Sequence, residues 1–555
     1  MRGRLGAAAV LLGLAALPAA AAETPRPWLR EEARPRGLLF EHRSGHSGRY
    51  LFPEIHAGGC ALVDADGDGD LDAYLVQSGG LERRPASRPG NRLYLNRGDG
   101  TFAAARDSGA EDRGYGMGAA AGDFDGDGRV DLYVTNVGAN VLLRNLGDGR
   151  FEDVTARARV GHTAWSSSAL FFDPDLDGDL DLYVANYLNW TVAGEVECRD
   201  VAGRLDYCGP ARYNTPAPDV FYSNNGDGTF TDATAAAGMD AAGSTGLGVT
   251  AGDFDGDGRP DLFVANDGML DQLWINRGDG TFAEEAVFRG AAADGSGLPK
   301  AGMGVSAADL DDDGDLDLLV GNLAGETDSL FLNDDGLFTD ATGLAGLAAR
   351  SRSLTRFGLA WADFDNDGHL DLYQANGTIG RRGRVWRDDD PYAQPNLLFR
   401  GLPGPRLVEV LPRGGTDPVL VATSRAACFG DVDGDGGVDV LVVNRDAPAH
   451  LLMNRAPGRG RWLRVAVLDA AGAPALGARV TVRVGGRRLR RDVVAGYSYQ
   501  ASSDPTAHFG LAGAETVDEV EVRHPSGERR CLGPRAADQA LTVRPGEGAL
   551  CPPPG

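Results

Sequence analysis

The sequence predicts an all-β protein, built as a seven-bladed β-propeller followed by a small antiparallel β domain. Three observations predict this fold class. An aspartate-rich motif recurs seven times, each copy lies among four short strand-like segments, and the C-terminal part loses the motif and alternates apolar with polar residues. The composition agrees, because 80 glycines and only 7% aromatic residues in a chain of 555 are typical of many short strands joined by turns.

The N-terminal segment has the pattern of a secretory signal over residues 1–22. Arg2 and Arg4 precede an apolar run from Ala7 to Leu17, and this run is shorter than the roughly 20 residues that span a bilayer. No other stretch of the sequence is long and apolar enough to span. We therefore expect a protein that is secreted or periplasmic after cleavage of the signal, with no membrane span.

The repeated motif is D-x-D-x-D-G-x-φ-D, where φ is an apolar residue. A hard cation such as Ca²⁺ prefers six to eight oxygen ligands, and carboxylates at alternate positions of one loop can converge on a single point. Aspartates at positions one, three, five and nine and a backbone carbonyl at position seven supply such oxygens. Glycine at position six permits the sharp turn. The motif therefore predicts seven structural calcium sites.

The predicted metal ligands follow the motif, and the residue at position seven is expected to act through its carbonyl. In loop order they are Asp64, Asp66, Asp68, Asp70 and Asp72; Asp123, Asp125, Asp127, Arg129 and Asp131; Asp173, Asp175, Asp177, Asp179 and Asp181; Asp253, Asp255, Asp257, Arg259 and Asp261; Asp309, Asp311, Asp313, Asp315 and Asp317; Asp363, Asp365, Asp367, His369 and Asp371; and Asp431, Asp433, Asp435, Gly437 and Asp439. Seven bound Ca²⁺ ions would offset about half of the formal net charge of -26, a charge that argues against a nucleic-acid partner.

The apolar eighth position of each loop is expected to anchor the loop in a core. These residues are Leu71, Val130, Leu180, Pro260, Leu316, Leu370 and Val438. An EF-hand is the alternative interpretation, but its loop ends with glutamate at position twelve on a helix. Here position twelve falls in strand-like runs such as DLYVTN and DLFVAN. The loops are therefore predicted to connect two strands.

Each motif lies in a unit of four strand-like segments, and four-stranded sheets repeated radially are propeller blades. The seventh unit lacks its fourth strand. The segment Gly37–Gly45 (GLLFEHRSG) resembles the fourth strands of other units, such as GTFTDATAAAG. We therefore predict that Gly37–Gly45 completes the last blade and closes the ring, which removes exposed sheet edges.

These units resemble FG-GAP/VCBS repeats, the calcium-binding propeller blades also found in integrin α-chain heads, from Gly37 to Pro457. In the C-terminal part, the phrases GARVTVRVGG, AGYSYQ, HFGL and VRHPSG are similar to the ASPIC/UnbV domain. That domain follows FG-GAP repeats in the cartilage acidic protein family and its bacterial relatives. The resemblance implies a propeller at 23–457 and an ASPIC/UnbV-like β domain with a tail at 458–555. His524 departs from it, since tryptophan is expected before the Pro-Ser-Gly turn.

Six cysteines in an exported chain favour disulfides. We predict the pairs Cys198–Cys208, within one insertion, and Cys531–Cys551, in the tail. Cys60 and Cys428 lie in the first strands of the first and last units, which a closed ring would place side by side. They stand four and three residues before their loops, so their side chains are expected to face opposite sides. We therefore predict that Cys60 and Cys428 are buried free thiols.

The motif content favours a binding role. The sequence has no HExxH, GxSxG or GxxxxGK[ST] pattern and no Cys/His zinc cluster, and its eight histidines are scattered. Aspartates that hold Ca²⁺ are ionised, so they are unsuited to general acid chemistry. We predict no catalytic residue and no cofactor site besides calcium, and expect an extracellular binding or adhesion module for a protein or a glycan.

Two alternatives stay open. One is an extracellular polysaccharide lyase or hydrolase that uses the propeller face, and the other is a structural component of a cell-envelope assembly. Loops on a rigid scaffold commonly carry ligand sites. The two long insertions are Asn186–Asp219 in the third unit and the basic-aromatic stretch Arg381–Tyr392 (RRGRVWRDDDPY) in the sixth. Each insertion is expected to be a solvated loop, and these two are where a ligand site of the enzyme alternative would be sought first.

Overall fold

A computed structural model describes residues 26–56, 58–240, 243–381 and 383–551. The predicted signal at residues 1–22 lies outside these ranges. Within them the chain forms seven four-stranded antiparallel blades and a C-terminal β domain. The first strand of each blade contacts the first strand of the next blade, and that of the seventh contacts that of the first. This closed cyclic order is a seven-bladed β-propeller, as the sequence predicts.

The propeller strands follow the chain, except that the strand nearest the N-terminus belongs to the seventh blade. They are β1 (Leu29–Glu31); β2 (Cys60–Val63), β3 (Asp72–Leu75), β4 (Arg92–Asn96) and β5 (Phe102–Ala104) in blade one; β6 (Gly116–Gly122), β7 (Asp131–Ala139), β8 (Val141–Gly147) and β9 (Arg150–Asp153) in blade two; β10 (Thr163–Phe172), β11 (Asp181–Asn186), β14 (Val220–Asn224) and β15 (Phe230–Asp232) in blade three, with β12 (Cys198–Arg199) and β13 (Leu205–Asp206) in its insertion; β16 (Gly246–Gly252), β17 (Asp261–Asn266), β18 (Gln272–Asn276) and β19 (Phe282–Glu284) in blade four; β20 (Val305–Ala308), β21 (Asp317–Val320), β22 (Ser329–Asp334) and β23 (Leu337–Asp340) in blade five; β24 (Arg356–Ala362), β25 (Asp371–Asn376), β27 (Leu397–Leu402) and β28 (Arg406–Glu409) in blade six; β30 (Ser424–Gly430), β31 (Asp439–Asn444) and β32 (His450–Asn454) in blade seven; and the small pair β26 (Gln394–Pro395) and β29 (Val421–Ala422).

The C-terminal domain contributes the remaining strands, and short helices lie between the propeller strands. The strands are β33 (Arg461–Val467), β34 (Arg479–Val484), β35 (Arg487–Asp492), β36 (Ala501–Ser502), β37 (Ala507–Ala512), β38 (Thr516–Val517), β39 (Glu519–Arg523), β40 (Arg529–Cys531), β41 (Arg535–Ala536), β42 (Gln539–Val543) and β43 (Ala549–Leu550). The helices are Phe52–Ile55, Pro85–Ser87, Val192–Gly194, Pro210–Arg212 and Arg413–Gly415, all 3₁₀, and the α-helical turns Thr155–Ala158, Ala286–Arg289 and Ala348–Ser351. None of the helices in the described ranges is long and apolar enough to cross a membrane.

Small residues in the first strands let seven strands meet around one axis. A Cβ atom on Gly248 of β16 would lie 2.2 Å from the carbonyl oxygen of Met303, next to the first strand of blade five. A Cβ on Gly304 would lie 1.9 Å from the carbonyl oxygen of Phe357 in blade six. Both distances are far below van der Waals contact, so these positions require glycine.

The core lies between facing blades. Side chains along a strand alternate between the two faces of the sheet, so one set packs on the preceding blade and the other set on the following blade. In β2, Ala61 and Val63 pack with Ala119 of blade two. Cys60, in contrast, packs in the cluster that contains Cys428 of blade seven.

The prediction that Cys60 and Cys428 are free thiols is wrong, because they form a disulfide with their Cα atoms 6.4 Å apart. The two side chains do lie on opposite faces of their own sheets. Neighbouring blades, however, meet through opposite faces, so the one-residue difference in position brings the sulfur atoms together. The predicted disulfides Cys198–Cys208 and Cys531–Cys551 are confirmed.

The N-terminal segment closes the ring, as predicted, but through a different strand. β1, Leu29–Glu31, pairs antiparallel with β32 as the fourth strand of blade seven. Gly37–Gly45 therefore follows the closing strand rather than forming it. Gly37 occupies the turn after β1, with φ +84°, where Gly238 stands after β15 with φ +74°. Gly37 therefore corresponds to the glycine that follows a fourth strand, such as Gly238, and not to the glycine that precedes one, such as Gly228.

The C-terminal domain is a β domain, as predicted, and most of its strand pairs are antiparallel. The pair β33–β42 is parallel, which differs from the predicted all-antiparallel arrangement. In β33 the residues Leu463, Val465 and Val467 are buried, and the residues between them are half-buried. These strands share one hydrophobic core with the second and third blades, since Val465 belongs to the same cluster as Phe171. The domain is therefore packed directly onto the propeller.

Candidate metal centres and the capped face

Each predicted metal loop connects the first and second strands of its blade with one common register. The ninth aspartate opens the second strand and pairs with the residue just before the first aspartate, as Val63 does with Asp72 and Gly252 with Asp261. The same pairing recurs in the other five blades. The eighth residues pack on hydrophobic clusters in six loops, as predicted, while Pro260 is half-buried.

Carboxylates at positions one, three and five converge within a single loop. In each of the first four loops, one oxygen from each of these aspartates lies within 4.8 Å of the other two. The backbone orients them, since the N–H of Gly69 donates to Asp64 Oδ2 at 3.0 Å and that of Gly128 donates to Asp123 Oδ2 at 2.7 Å. Each of these loops therefore gathers three oxygen donors.

The ninth aspartate is buried at the base of its loop. Asp72 accepts hydrogen bonds from the backbone N–H groups of Ala65, at 2.9 Å, and Asn96, at 2.7 Å. Burial nevertheless raises the pKa of this residue to about 8 in the first five loops, at Asp72, Asp131, Asp181, Asp261 and Asp317. A cation in the loop would offset this cost, because a nearby positive charge favours the ionised carboxylate.

The donor set fits a hard divalent cation. Several loop oxygens are buried and accept no hydrogen bond, which is rare for carboxylates in folded proteins. They are Oδ1 of the first-position residues Asp173, Asp253 and Asp309 and of the third-position residues Asp125 and Asp433. Carboxylate oxygens converging on one point are what Ca²⁺ prefers. Calcium bound here would be a positively charged partner for these oxygens.

At position seven the arginine and histidine side chains make polar contacts of their own. Arg129 and Arg259 form ion pairs with Asp127 and Asp257 of their own loops. The imidazole Nδ1 of His369 lies 3.4 Å from an arginine of the C-terminal domain. The role of the position-seven backbone carbonyl as a ligand stays a prediction.

The C-terminal domain rests on the face that carries the metal loops. Arg479 Nη2 lies 3.0 Å from Asp253 Oδ2 of the fourth loop, and the N–H of Gly460 donates to the carbonyl of Asp365 in the sixth loop at 2.8 Å. Its segment Tyr497–Asp504 enters the propeller axis from the same side, where β36 pairs with β2. Tyr499 of this segment packs in one hydrophobic cluster with Met117 of blade two, Leu247 of blade four and Phe357 of blade six.

The opposite face brings together the two insertions named from the sequence. Connections after the second strand leave a blade at the end opposite the metal loops, because successive strands are antiparallel. The insertion of blade six meets that of blade three where the N–H of Arg381 donates to Asp206 Oδ2 at 2.7 Å and the hydroxyl of Tyr392 donates to Asp206 Oδ1 at 2.7 Å. The hydroxyl of Tyr207 donates to Glu54 Oε2 at 3.1 Å, which adds the segment before β2.

The insertions cap this end of the propeller axis, and we call the cluster of His46, Tyr50, Tyr207, Arg381 and Tyr392 the capped face. Tyr207 and Tyr392 are buried within it, at 6% and 4% exposure. Its aromatic rings are in contact with one another. The ring centroids are 4.7 Å apart for His46 and Tyr50, 5.1 Å for Tyr50 and Tyr207, and 5.5 Å for Tyr207 and Tyr392. Burial and then the hydrogen bond to a carboxylate raise the pKa of the last tyrosine above its ordinary range. Its phenol therefore stays neutral.

The sequence analysis missed the residues that the N-terminal segment contributes to the capped face. His46 Nδ1 lies 2.7 Å from Glu54 Oε2, and Tyr50 stands between the two insertions. The signal available was the cluster of polar and aromatic residues in HSGRYLFPEIH, which lies between β1 and β2 and matches no part of the repeat. The position of each histidine in the sequence, considered separately, did not indicate this cluster.

Two family models match the chain. The model described as FG-GAP-like repeat matches residues 64–134, 123–184, 203–264, 253–320 and 309–373. The chain belongs to the FG-GAP-like repeat family. The C-terminal domain of this FG-GAP-repeat protein matches the model described as ASPIC and UnbV over residues 469–550. Both resemblances found in the sequence are therefore confirmed.

Relatives extend over most of the FG-GAP-repeat chain. Cartilage acidic protein 1 of Xenopus tropicalis is 28% identical over 503 residues, which cover 85% of this chain and 70% of that protein. The Homo sapiens protein of the same name is 27% identical over 504 residues, which cover 85% and 69%. Among solved structures, the BP39L lectin from Burkholderia pseudomallei has a TM-score of 0.40 at 11% identity, with 72% of this chain and 97% of the lectin covered. The rhamnogalacturonan lyase YesW has a TM-score of 0.36 at 14% identity, with 72% of each chain covered. Scores this low carry no information about function.

Proposed function

We propose that this FG-GAP-repeat protein is an extracellular binding module in which calcium stabilises the fold and the capped face holds the ligand. One observation carries the proposal. Two insertions whose contacting residues are 175 and 186 positions apart in the chain converge on one face through Asp206, and the segment before β2 joins them through Glu54. The other face is covered by the C-terminal domain.

The calcium part of the proposal rests on the loop geometry. Three carboxylate oxygens converge in each of the first four loops, and several buried oxygens lack a donor. Sites with the weak affinity of extracellular modules would each contribute roughly 0.4 to 1.4 kcal/mol in millimolar calcium, or about 3 to 10 kcal/mol together. Such a sum is comparable with the net stability of a domain.

The binding part is tested by presenting the full chain, with calcium, to arrays of extracellular glycans and proteins. We expect retention of a ligand that Tyr50→Ala weakens, because Tyr50 is half-exposed on the capped face. Phe288→Ala is the matched control, since Phe288 is 82% exposed on the outside of blade four. Loss of binding in Phe288→Ala with none in Tyr50→Ala would place the ligand elsewhere and refute the assignment.

Export to an oxidising compartment is supported by the disulfides. All six cysteines are paired in the structure, and disulfides persist mainly in secreted or periplasmic proteins. The protein isolated from its natural compartment should show no free thiol under denaturing conditions. Free thiols there would contradict export.

A polysaccharide-active enzyme is the second candidate, and one observation favours it. His46 is partly exposed, with its Nδ1 atom 2.7 Å from Glu54 and 3.1 Å from the hydroxyl of Tyr207, an arrangement compatible with general acid-base work. Incubation of the bound ligand with the protein, followed by size analysis, separates the two candidates. Release of shortened product that His46→Ala abolishes would favour the enzyme, whereas retention without product favours the binding module.

A further inference from the structure

The guanidinium of Arg381 is fixed in place without an ion pair. Nη2 donates to the hydroxyl of Tyr50 at 2.8 Å and Nη1 donates to the carbonyl of Leu205 at 3.2 Å. Both acceptors are neutral, and within the described ranges the side chain of Arg381 forms no ion pair. The nearby carboxylate of Asp206 accepts from the backbone N–H of Arg381 instead. A guanidinium carries five N–H groups, so three remain without a protein partner: the buried one on Nε and one on each Nη atom.

Other arginines near this face differ in this respect. Arg387, in the same insertion, pairs with Asp389 at 2.5 Å, and Arg445 pairs with Asp446 at 3.2 Å. Arg381 is held by both insertions and by the N-terminal segment, so little side-chain freedom is left to lose on binding. Arg381 therefore gives the capped face a preorganised positive charge, although the chain as a whole is strongly acidic.

Aromatic rings flank this charge on two sides. The guanidinium carbon of Arg381 lies 5.4 Å from the ring centroid of Tyr50 and 5.8 Å from that of Tyr392. Tyr50 has φ +57°, a left-handed conformation that costs a bulky residue about 1 kcal/mol or more. The surrounding contacts hold the ring in this strained position beside the arginine.

The spacing selects the chemistry of the ligand. A planar guanidinium pairs bidentately with a carboxylate, and the ring of a tyrosine offers an apolar surface next to it. In an extended peptide, side chains on one face are about 6.6 Å apart. The guanidinium and the tyrosine rings are closer together than this, so a single compact group that carries both a carboxylate and an apolar face fits them better than two peptide side chains. A sugar that carries a carboxylate on its own ring is such a group.

We propose that Arg381, Tyr50 and Tyr392 form a subsite for a uronic acid residue of an acidic polysaccharide. The proposal rests on the proposed function, since it requires a ligand on the capped face. The carboxylate binds the remaining Nη N–H groups of Arg381, and one face of the sugar ring packs on the half-exposed Tyr50. Tyr392 is 4% exposed and flanks the guanidinium without reaching the ligand. Binding is expected to weaken with salt, because it depends on a single charge pair near the surface.

The test uses the full chain with calcium and three trisaccharides: one of galacturonic acid, its methyl ester, and the neutral galactose equivalent. Calorimetric titration should show binding of the acid, with affinity about 10- to 100-fold lower for the ester and the neutral sugar. Arg381→Ala should lower the affinity for the acid by the same factor, and Arg381→Lys should recover only part of it. Arg387→Ala is the control and should stay within about twofold of the wild type.

The outcomes separate this proposal from the one it rests on. Equal binding of acid and ester, or an unchanged affinity in Arg381→Ala, would overturn the uronate subsite and leave a ligand on the capped face. Binding of a protein but of no saccharide would also overturn it. Absence of any ligand that Tyr50→Ala weakens would remove the proposed function itself. Melting curves of each variant identify any loss of fold.

Discussion

Asp219 should destabilise the protein at neutral pH, and its replacement by asparagine should reverse this. The residue stands just before β14, where blade two has Asn140 before β8. Asn140 accepts from the N–H of Asn136 at 2.8 Å and donates through Nδ2 to the hydroxyls of Tyr133, at 3.1 Å, and Ser166, at 2.8 Å. An amide in this position therefore satisfies the whole site.

The carboxylate of Asp219 makes the matching contacts, but here the two hydroxyls donate hydrogen bonds instead of accepting them. Oδ1 accepts from the N–H of Asn186 at 2.6 Å, and Oδ2 accepts from the hydroxyls of Tyr183, at 2.9 Å, and Ser244, at 2.8 Å. Asparagine fits the same space, and the two hydroxyls can rotate to accept from its Nδ2. The substitution Asp219→Asn thus removes the charge and keeps the geometry of blade two.

The magnitude follows from the pKa. Burial raises the pKa of Asp219 from 3.8 to about 6, which corresponds to roughly 3 kcal/mol once the carboxyl is ionised in both states. Because the folded-state pKa lies above the unfolded one, this stability is present at low pH and is lost as pH rises through about 6. Asparagine does not ionise, so Asp219→Asn should gain up to about 3 kcal/mol on the wild type at pH 8.

The assay is urea unfolding at pH 5 and pH 8 with saturating calcium. The advantage of Asp219→Asn should widen by about 1 to 2 kcal/mol between the two pH values. Asn140→Asp is the reciprocal control and should lose stability over the same interval. A variant that is less stable than the wild type by the same amount at both pH values would refute the reasoning, since the hydrogen bonds of the charged form would then outweigh its burial.

Three further predictions concern the ring and its contacts. Replacing Cys60 and Cys428 with serine opens a cross-link with a sequence separation of 368 and should cost about 5 kcal/mol in urea unfolding. Gly304→Ala should cost at least about 3 kcal/mol because its Cβ overlaps a carbonyl oxygen, whereas Gly343→Ala, with open space around it, should be nearly neutral. Arg479→Ala removes an ion pair to the fourth metal loop and should cost about 1 to 3 kcal/mol and speed proteolysis of the C-terminal domain.

Each of these predictions has a contradicting result. Unchanged unfolding of the double cysteine variant would mean that the ring is closed by β1 alone. Equal stability of the two glycine variants would mean that the first strands can separate without cost. Unaltered proteolysis of Arg479→Ala would mean that the C-terminal domain is held by its hydrophobic core rather than by the loops.

The repeat made the propeller predictable from the sequence. Seven aligned Asp loops determine the loop position, and period-two patterns around them determine the strands. Ring closure was also predictable, yet the closing strand was not, because Gly37 resembles a turn glycine that follows the fourth strand in several blades, such as Gly109, Gly238 and Gly290. A three-residue strand such as Leu29–Glu31 leaves too short a pattern to recognise.

Contacts between segments that are distant in the chain could not be predicted from the sequence. The disulfide Cys60–Cys428 was missed because its geometry depends on how facing blades meet, which no strand pattern records. The meeting of Asp206 with Arg381 and Tyr392 likewise depends on blades three and six facing each other across the axis. The insertions could be singled out from the sequence, but their convergence could not.

Counting bound calcium while following thermal unfolding tests the central claim most directly. The full chain is dialysed against millimolar calcium or excess EGTA, its calcium content is measured by atomic emission, and its melting curve is recorded in each buffer. We expect about seven Ca²⁺ per chain, one for each Asp loop, and a sharp fall of the melting temperature in EGTA. A chain that binds no calcium, or a melting curve that EGTA leaves unchanged, would contradict the account.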